Sequence, residues 1–465
     1  MNQIRIVSSR KSLHDIIVVL FLSFVAAMPF WAFGAHGKDE ICILSFVFNS
    51  IVFIAGMTSS YKKYSISMEL VYWVFMYFFM YFAPLIQYLT SVYPWRGSLT
   101  DNDVLITNLV IFLFNIVFII SMMTARRVKI KSITNANVTK FLCSNFEFGK
   151  KFKILVTVVA VLMAVFSFSR TGLAGIAVSR VQATQVFYLG SNSAIKMIVE
   201  SVIPAFLAYI VAEAAQSTIA KKENPIRFII LFAALLICFF PTSLPRYKTV
   251  TIYGTVFLVL FPKLRKGAKF FWLFIIAMFF MFPLMNSFRH ILSMESFRSV
   301  FENGFMSVYV EADYDAYRML SSAIKYVSRF GIKWGFQLLG VFLFFVPSAV
   351  WGGKPGGSGA MLIRSEFGND VASNVSCPFI GEGYLNFGIP GVIFFAVFLG
   401  VAICKMDMGY WRTNKDKEYI AFSPYLFMMF MILFMLRGDL LSSFAYICGF
   451  VATGYMINVA AKYIS

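Results

Sequence analysis

Apolar runs of about 17–20 residues, the length a helix needs to cross a bilayer, recur along this chain between short polar stretches. Nine lie before residue 289: Asp15–Phe33, Ile41–Thr58, Glu69–Thr90, Val104–Met123, Ile154–Ser169, Ala194–Ala214, Ile226–Phe240, Thr249–Phe261 and Phe270–Phe288. Three more follow residue 386: Phe387–Cys404, Tyr419–Leu436 and Leu440–Ala461. Thr249–Phe261 is short, so it extends up through Tyr247 or is tilted. None shows the ten-residue alternation of a membrane barrel. The pattern predicts an all-α polytopic membrane protein of about twelve transmembrane helices. The first run lacks a small-x-small cleavage site and is followed by further runs, so it is read as a span and not as a removable signal.

The polar stretches orient these spans. Short loops on the cytoplasmic side gather Lys and Arg. With the N-terminus inside, the inner segments hold Arg5, Arg10 and Lys11, then Lys62 and Lys63, then eight cations within Thr124–Lys153. Lys221, Lys222 and Arg227 follow, then Lys263, Arg265, Lys266 and Lys269, then Lys405, Arg412, Lys415 and Lys417, and Lys462, for 25 of the 41 Lys and Arg. Phe288 then ends outside and Phe387 starts outside, so the intervening chain crosses an even number of times. Its one apolar candidate, Gln337–Val350, has about 14 residues, a length that favours a re-entrant or interfacial segment. Three regions result: a nine-span part (1–288), an external region with short helices and the re-entrant segment 337–350 (289–386), and a three-span part (387–465).

Composition agrees with a membrane protein: 59% of the 465 residues are hydrophobic and 14% charged, with a mean hydropathy of +0.76. A net charge of +19 would point to nucleic acid in a soluble protein. Here the positions of the charges matter more than their sum, and no nucleic-acid partner is expected. There is no internal repeat, no Walker A and no dinucleotide fingerprint. The three histidines are scattered, and the six cysteines form no disulfide framework.

The remaining cations run against the usual bias. Arg170, Arg180, Lys196, Arg246, Lys248, Arg289, Arg298, Arg318, Lys354, Arg364 and Arg437 all fall on the outer side, several at span ends. A charge near a span costs up to about 2.5–3.5 kcal/mol at the centre and tends to be kept for function. Snorkelling accounts for single cases; for the set, an outward-facing anion site is the better reading. Guanidinium forks match phosphate oxygens in pairs. Arg246 is the strongest case, because Pro241 and Pro245 break the helix at the membrane edge.

Among carboxylates, Asp313 heads a helical pattern with Tyr317, Leu320, Ile324 and Val327 on one stripe, while Glu311, Asp315 and Arg318 take the wetter face. A carboxylate on an apolar face suits a general base. Glu382 sits between two glycines just before a span. Asp39-Glu40, Asp101 with Asp103, and Asp313 with Asp315 are acid pairs too sparse to specify a metal, and none is assigned. Tyr93, Trp95, Trp351 and Tyr384 in outer loops are candidates to stack on sugar rings.

The segments FFVPSAVWGGKPGGSG and NVSCPFIGEGYLNFGIPG, with ADYDAY and PTSLPRYK before them, resemble the Wzy-type polymerases of bacterial O-antigen and capsule synthesis. The likeness runs from about Leu244 to Gly400; the first half matches only in hydropathy. Many relatives carry an arginine after FFVP where this chain has Ser348, and whether Lys354 replaces that cation stays open. The resemblance implies a GT-C-like inverting glycosyltransferase of the bacterial inner membrane, working on the periplasmic face without nucleotide sugar or cofactor. It would transfer the growing glycan from undecaprenyl pyrophosphate to a new undecaprenyl-pyrophosphate-linked repeat unit, alongside a Wzz-type chain-length regulator and a Wzx-type flippase. Arg170, Arg246, Lys248, Arg289, Arg318, Lys354, Asn386 and Arg437 would bind the pyrophosphate and substrate. Glu382 or Asp313 would take the hydroxyl proton, with Arg246 catalytic. An O-antigen ligase, or a lipid-linked oligosaccharide flippase or transporter, is the competing reading.

Overall fold

The computed structural model describes residues 2–95, 97–127, 137–172, 198–283, 305–368, 375–414 and 422–464. Among them all regular structure is helical. Nine helices are long and apolar enough to cross a membrane: Leu13–Phe33, Glu40–Lys63, Met68–Thr90, Asp101–Arg127, Lys150–Arg170, Glu200–Ile219, Ile226–Ser243, Phe379–Asn414 and Leu440–Ile464. Three further apolar helical segments are shorter: 246–260, Lys269–Met281 and Pro424–Arg437. They correspond to the expected spans Thr249–Phe261, Phe270–Phe288 and Tyr419–Leu436, whose remaining ends fall partly outside the described residues.

Helices outrun the apolar runs because polar residues cap them. Asp39 accepts from the Cys42 amide at 2.8 Å and starts Glu40–Lys63. Ser67 accepts from the Leu70 amide at 3.1 Å and starts Met68–Thr90. Met68–Thr90 is buried along its whole apolar length and is the axle of the bundle. Its tyrosine hydroxyls need partners once buried. Tyr77 donates to the Leu22 carbonyl at 2.7 Å and Tyr81 to the Ala26 carbonyl at 2.8 Å, so a four-residue step on one helix meets the same step on its neighbour. By contrast Leu13–Phe33, Lys150–Arg170 and Ile226–Ser243 are mostly uncovered, as peripheral lipid-facing helices are.

The two ends of the bundle differ chemically. One end carries Lys62, Arg126, Lys222 and Arg227 in ion pairs with Asp15, Glu69, Glu147, Glu213 and Glu223. The other end carries a cap built from 305–368 and 375–388. Its main helix, Ala316–Phe330, is buried all round over its first two turns, from Ala316 to Ala323.

Phe379–Asn414 is two helices. Gly388 breaks it at φ 63°, ψ −144°, in the left-handed half of the map that glycine alone enters freely. Residues 379–387 therefore fold back along 389–414. The Phe379 and Phe395 rings lie 4.8 Å apart, and a Cβ on Gly391 would sit 2.0 Å from the Gly383 carbonyl oxygen. The expected re-entrant segment 337–350 is helical only over Phe336–Phe342, and turns follow.

Candidate active site

Arg246 and Arg437 come from different helices and meet on one turn. Leu244, before Pro245, is extended (ψ 152°), as the residue before proline must be, and the helix restarts at Arg246. Arg437 is the last residue of Pro424–Arg437. Next to one arginine and one turn before the other, Tyr247 stacks on Phe434 at 3.7 Å and 4°. That stack brings the two helix ends together. Arg246 is buried. It reaches Asp313 Oδ2 at 2.7 Å, with its guanidinium over the Phe282 ring at 5.1 Å. Arg437 donates to the Ala312 carbonyl at 3.0 Å and to Asp315 Oδ1 at 3.1 Å.

Asp313 lies in the 3-10 turn Ala312–Tyr314, ahead of the helix that begins at Ala316. It is therefore not on the apolar stripe that periodicity assigned it, and about a fifth of its side chain is exposed. Asp315, expected on the wetter face, is buried. It stands at the N-cap position but spends its carboxylate on other segments. The Ser376 hydroxyl donates to it at 2.7 Å, the Ser376 amide at 3.3 Å and the Trp95 indole at 3.1 Å. Arg437 completes the set. Three stretches of chain thus converge on one side chain.

A second carboxylate pair lies beside this turn. Glu382, on the folded-back helix, is fully buried. It accepts from the Ser358 hydroxyl at 2.9 Å and the Leu440 amide at 3.2 Å. Asp439 accepts from the Gly359 amide at 3.2 Å and the Leu441 amide at 2.9 Å. Burial pushes the Asp439 carboxyl up from its ordinary value, against these amides, which pull it down. Among the described residues neither carboxylate has an ion-pair partner. Ser358 and Gly359 are thereby tied to the turn that presents Arg437.

The other expected residues are dispersed. Arg318 is buried against Glu366 at 2.7 Å and also donates to Ser322. Lys248 donates to the Glu200 carbonyl at 2.5 Å, with its ammonium 4.3 Å from the centre of the Tyr446 ring. Lys354 donates to the carbonyls of Phe344 and Val346. The Asn386 amide donates to the Glu382 carbonyl at 2.9 Å and is buried. Arg170 is exposed over the Phe166 ring at the end of its helix. Arg289, Arg298, Arg180 and Lys196 lie outside the described residues. Sequence reasoning gave Asp315 a wet face and Trp95 a stacking role, and it missed Asp439, Ser376 and Ser358. The available signal was the two-residue break Gly438-Asp439 between apolar helices, where a carboxylate has backbone amides to receive.

Of the expected acid pairs outside the cap helix, Asp39 caps a helix, Asp101 accepts from the Tyr88 hydroxyl and Asp103 pairs with Lys325. No group of three or more metal-binding side chains gathers among the described residues. No family model matches the chain, and no curated protein or solved structure matches it.

Proposed function

We propose that this chain polymerises lipid-linked oligosaccharides, transferring a glycan from a polyprenyl diphosphate to a sugar hydroxyl of a second lipid-linked unit. The observation that carries the reading is the convergence of Arg246 and Arg437 on the 312–315 turn at the cap end of the bundle. Two guanidiniums held by separate helices present paired donors to a diphosphate and offset the charge that grows on it as it leaves.

In this mechanism the diphosphate takes up Arg246 and displaces Asp313. The freed carboxylate is the more exposed of the two candidates. The acceptor hydroxyl oxygen attacks the anomeric carbon. The bond from that carbon to the diphosphate oxygen breaks, and the hydroxyl proton passes to Asp313. Attack opposite the leaving group inverts the anomeric centre. Glu382 is fully buried and hydrogen-bonded on both oxygens, so it positions Ser358 and Leu440 and does not take the proton.

Twelve crossings, made of the nine long helices and the three shorter ones, complete the reading as a GT-C-like enzyme. The cap then faces the periplasm of a bacterial inner membrane. What supports that orientation is the basic set Lys62, Arg126, Lys222 and Arg227 at the opposite end.

The test uses membranes carrying the full chain, supplied with polyprenyl-diphosphate-linked oligosaccharide. Wild type is expected to build a ladder of products and Arg246→Ala to leave single units. A ladder of equal length from Arg246→Ala would overturn the proposal. Transfer only to a lipid A-core acceptor would replace it with a ligase.

A further inference from the structure

Residues 334–353, WGFQLLGVFLFFVPSAVWGG, contain no charge over 20 positions. Uncharged length alone would allow a crossing, yet the chain makes a hairpin. The helix Phe336–Phe342 ends, and turns follow in which Val346 donates to the Leu343 carbonyl and Trp351 to the Pro347 carbonyl. The return arm crosses the helix at Gly340, where a Cβ would lie 2.6 Å from the Pro355 ring. The tip packs on a spanning helix: Phe342 and Phe344 meet Phe444 at 5.7 and 6.1 Å. Phe444 lies four residues into Leu440–Ile464, about 6 Å below its start at 1.5 Å per residue.

The opposite side of the hairpin is bare and apolar. Trp334 is 78% exposed, Phe345 66% and Val350 79%, with Leu339 beside them. Such a patch beside a spanning helix belongs to lipid, but irregular backbone in hydrocarbon must have its carbonyls satisfied. Lys354 does this from within: its ammonium donates to the Phe344 carbonyl at 2.7 Å and to the Val346 carbonyl at 2.8 Å. Those carbonyls belong to the turns past the helix end, where no helical ladder pairs them.

We propose that the 334–353 hairpin is immersed in the hydrocarbon of the leaflet at the cap end, and that Lys354 permits this by closing the open carbonyls at its tip. The lysine is therefore a structural cap and not an anion ligand. The inference is independent of the reaction. It bears on the site through Ser358 and Gly359, which follow the return arm and bond Glu382 and Asp439. Seating of the hairpin thus sets the depth of the turn that carries Arg437.

The experiment places a nitroxide label on Phe345→Cys and, as a water-facing control, on Ser365→Cys. The full chain is reconstituted in phosphatidylethanolamine–phosphatidylglycerol vesicles. Collisions with oxygen are expected to exceed those with a water-soluble nickel chelate several-fold at residue 345, and the reverse at 365. Dominant nickel collisions at 345 would mean the hairpin lies in water. Low collisions with both would mean a protein surface covers it. Either result overturns the proposal. Adding Lys354→Met should raise nickel collisions at 345 several-fold, while Lys354→Arg, which keeps a donor, should not. Unchanged values with Lys354→Met would overturn the role of the lysine.

Discussion

Arg437 and Asp315 meet at 3.1 Å, one at the last residue of a helix and the other at the residue before a helix begins. Gly438 ends the first helix in an extended conformation, and the Asp315 carboxylate makes no capping bond to the second. The pair ties the two helix ends together, and Arg437 also bonds the Ala312 carbonyl. Arg437 makes both bonds through Nη2; Arg437→Lys keeps the charge but not the planar guanidinium whose other nitrogens are offered to a diphosphate. Losing a charged hydrogen bond of about 1.5–3 kcal/mol predicts roughly a 10–100-fold fall in chain-extension rate. Initial rates in membranes with matched protein levels measure it, and an unchanged rate would count against the assigned role.

Removing the other partner acts on stability. Asp315→Ala strands Arg437, the Ser376 hydroxyl and the Trp95 indole at once. Breaking a buried pair costs about 3–5 kcal/mol; with Arg437 partly exposed, a loss near 3 kcal/mol is expected. Thermal unfolding in detergent, followed by tryptophan fluorescence, should show a clearly lowered midpoint. Asp315→Asn keeps two acceptor contacts and should fall between.

Asp313 and Glu382 separate by what their amides change. Asp313→Asn removes the proton acceptor and should lower kcat by about 10²–10⁴, with the unfolding midpoint near wild type. Glu382→Gln should do the opposite, moving the midpoint while the enzyme that folds keeps its kcat. If Glu382→Gln abolishes turnover at normal stability, the base assignment passes to Glu382.

The folded-back helix depends on two glycines. Gly388→Ala places a Cβ on a residue at φ 63°, a cost of about 1–2 kcal/mol, and crowds Ile332 at 3.2 Å. Gly391→Ala drives a Cβ to 2.0 Å from the Gly383 backbone oxygen, which cannot rotate away. That should cost about 3 kcal/mol or more. Limited proteolysis between 375 and 388, and unfolding midpoints, should rank the two in that order.

Hydropathy made the spanning helices readable, because burial and lipid exposure both demand apolar length; Glu40–Lys63 and Met68–Thr90 lie close to where the runs placed them. Arg246 was readable for a local reason, the two prolines beside it. Asp315 was not. Helical periodicity carried through from Asp313 puts it on the outside, whereas the helix starts only at Ala316 and its face is set by Ser376 and Trp95, distant in sequence. The fold at Gly388 was hidden for a similar reason. Glycine and Pro390 mark a possible break, but the direction of the turn follows from the contact of Gly383 with Gly391.

At the end opposite the site, Glu223 bonds Lys153 at 2.6 Å and Arg227 at 2.8 Å. Burial raises its pKa, but the hydrogen bonds and charges of Lys153 and Arg227 outweigh that, and the net effect is a value below the ordinary 4.5. A carboxylate depressed on folding contributes stability that is present above its unfolded pKa and is lost as pH falls through the folded one. Between pH 7 and about 5.5 Glu223 should therefore add no slope, and below about 4.5 it should steepen the fall in unfolding midpoint. Glu223→Gln keeps the neighbouring Arg227–Glu213 contact at 2.7 Å and removes only this titration. The variant should start lower at pH 7 and lose less between pH 4.5 and 3. Parallel curves for wild type and variant across that window would show that Glu223 is not held charged by the two cations.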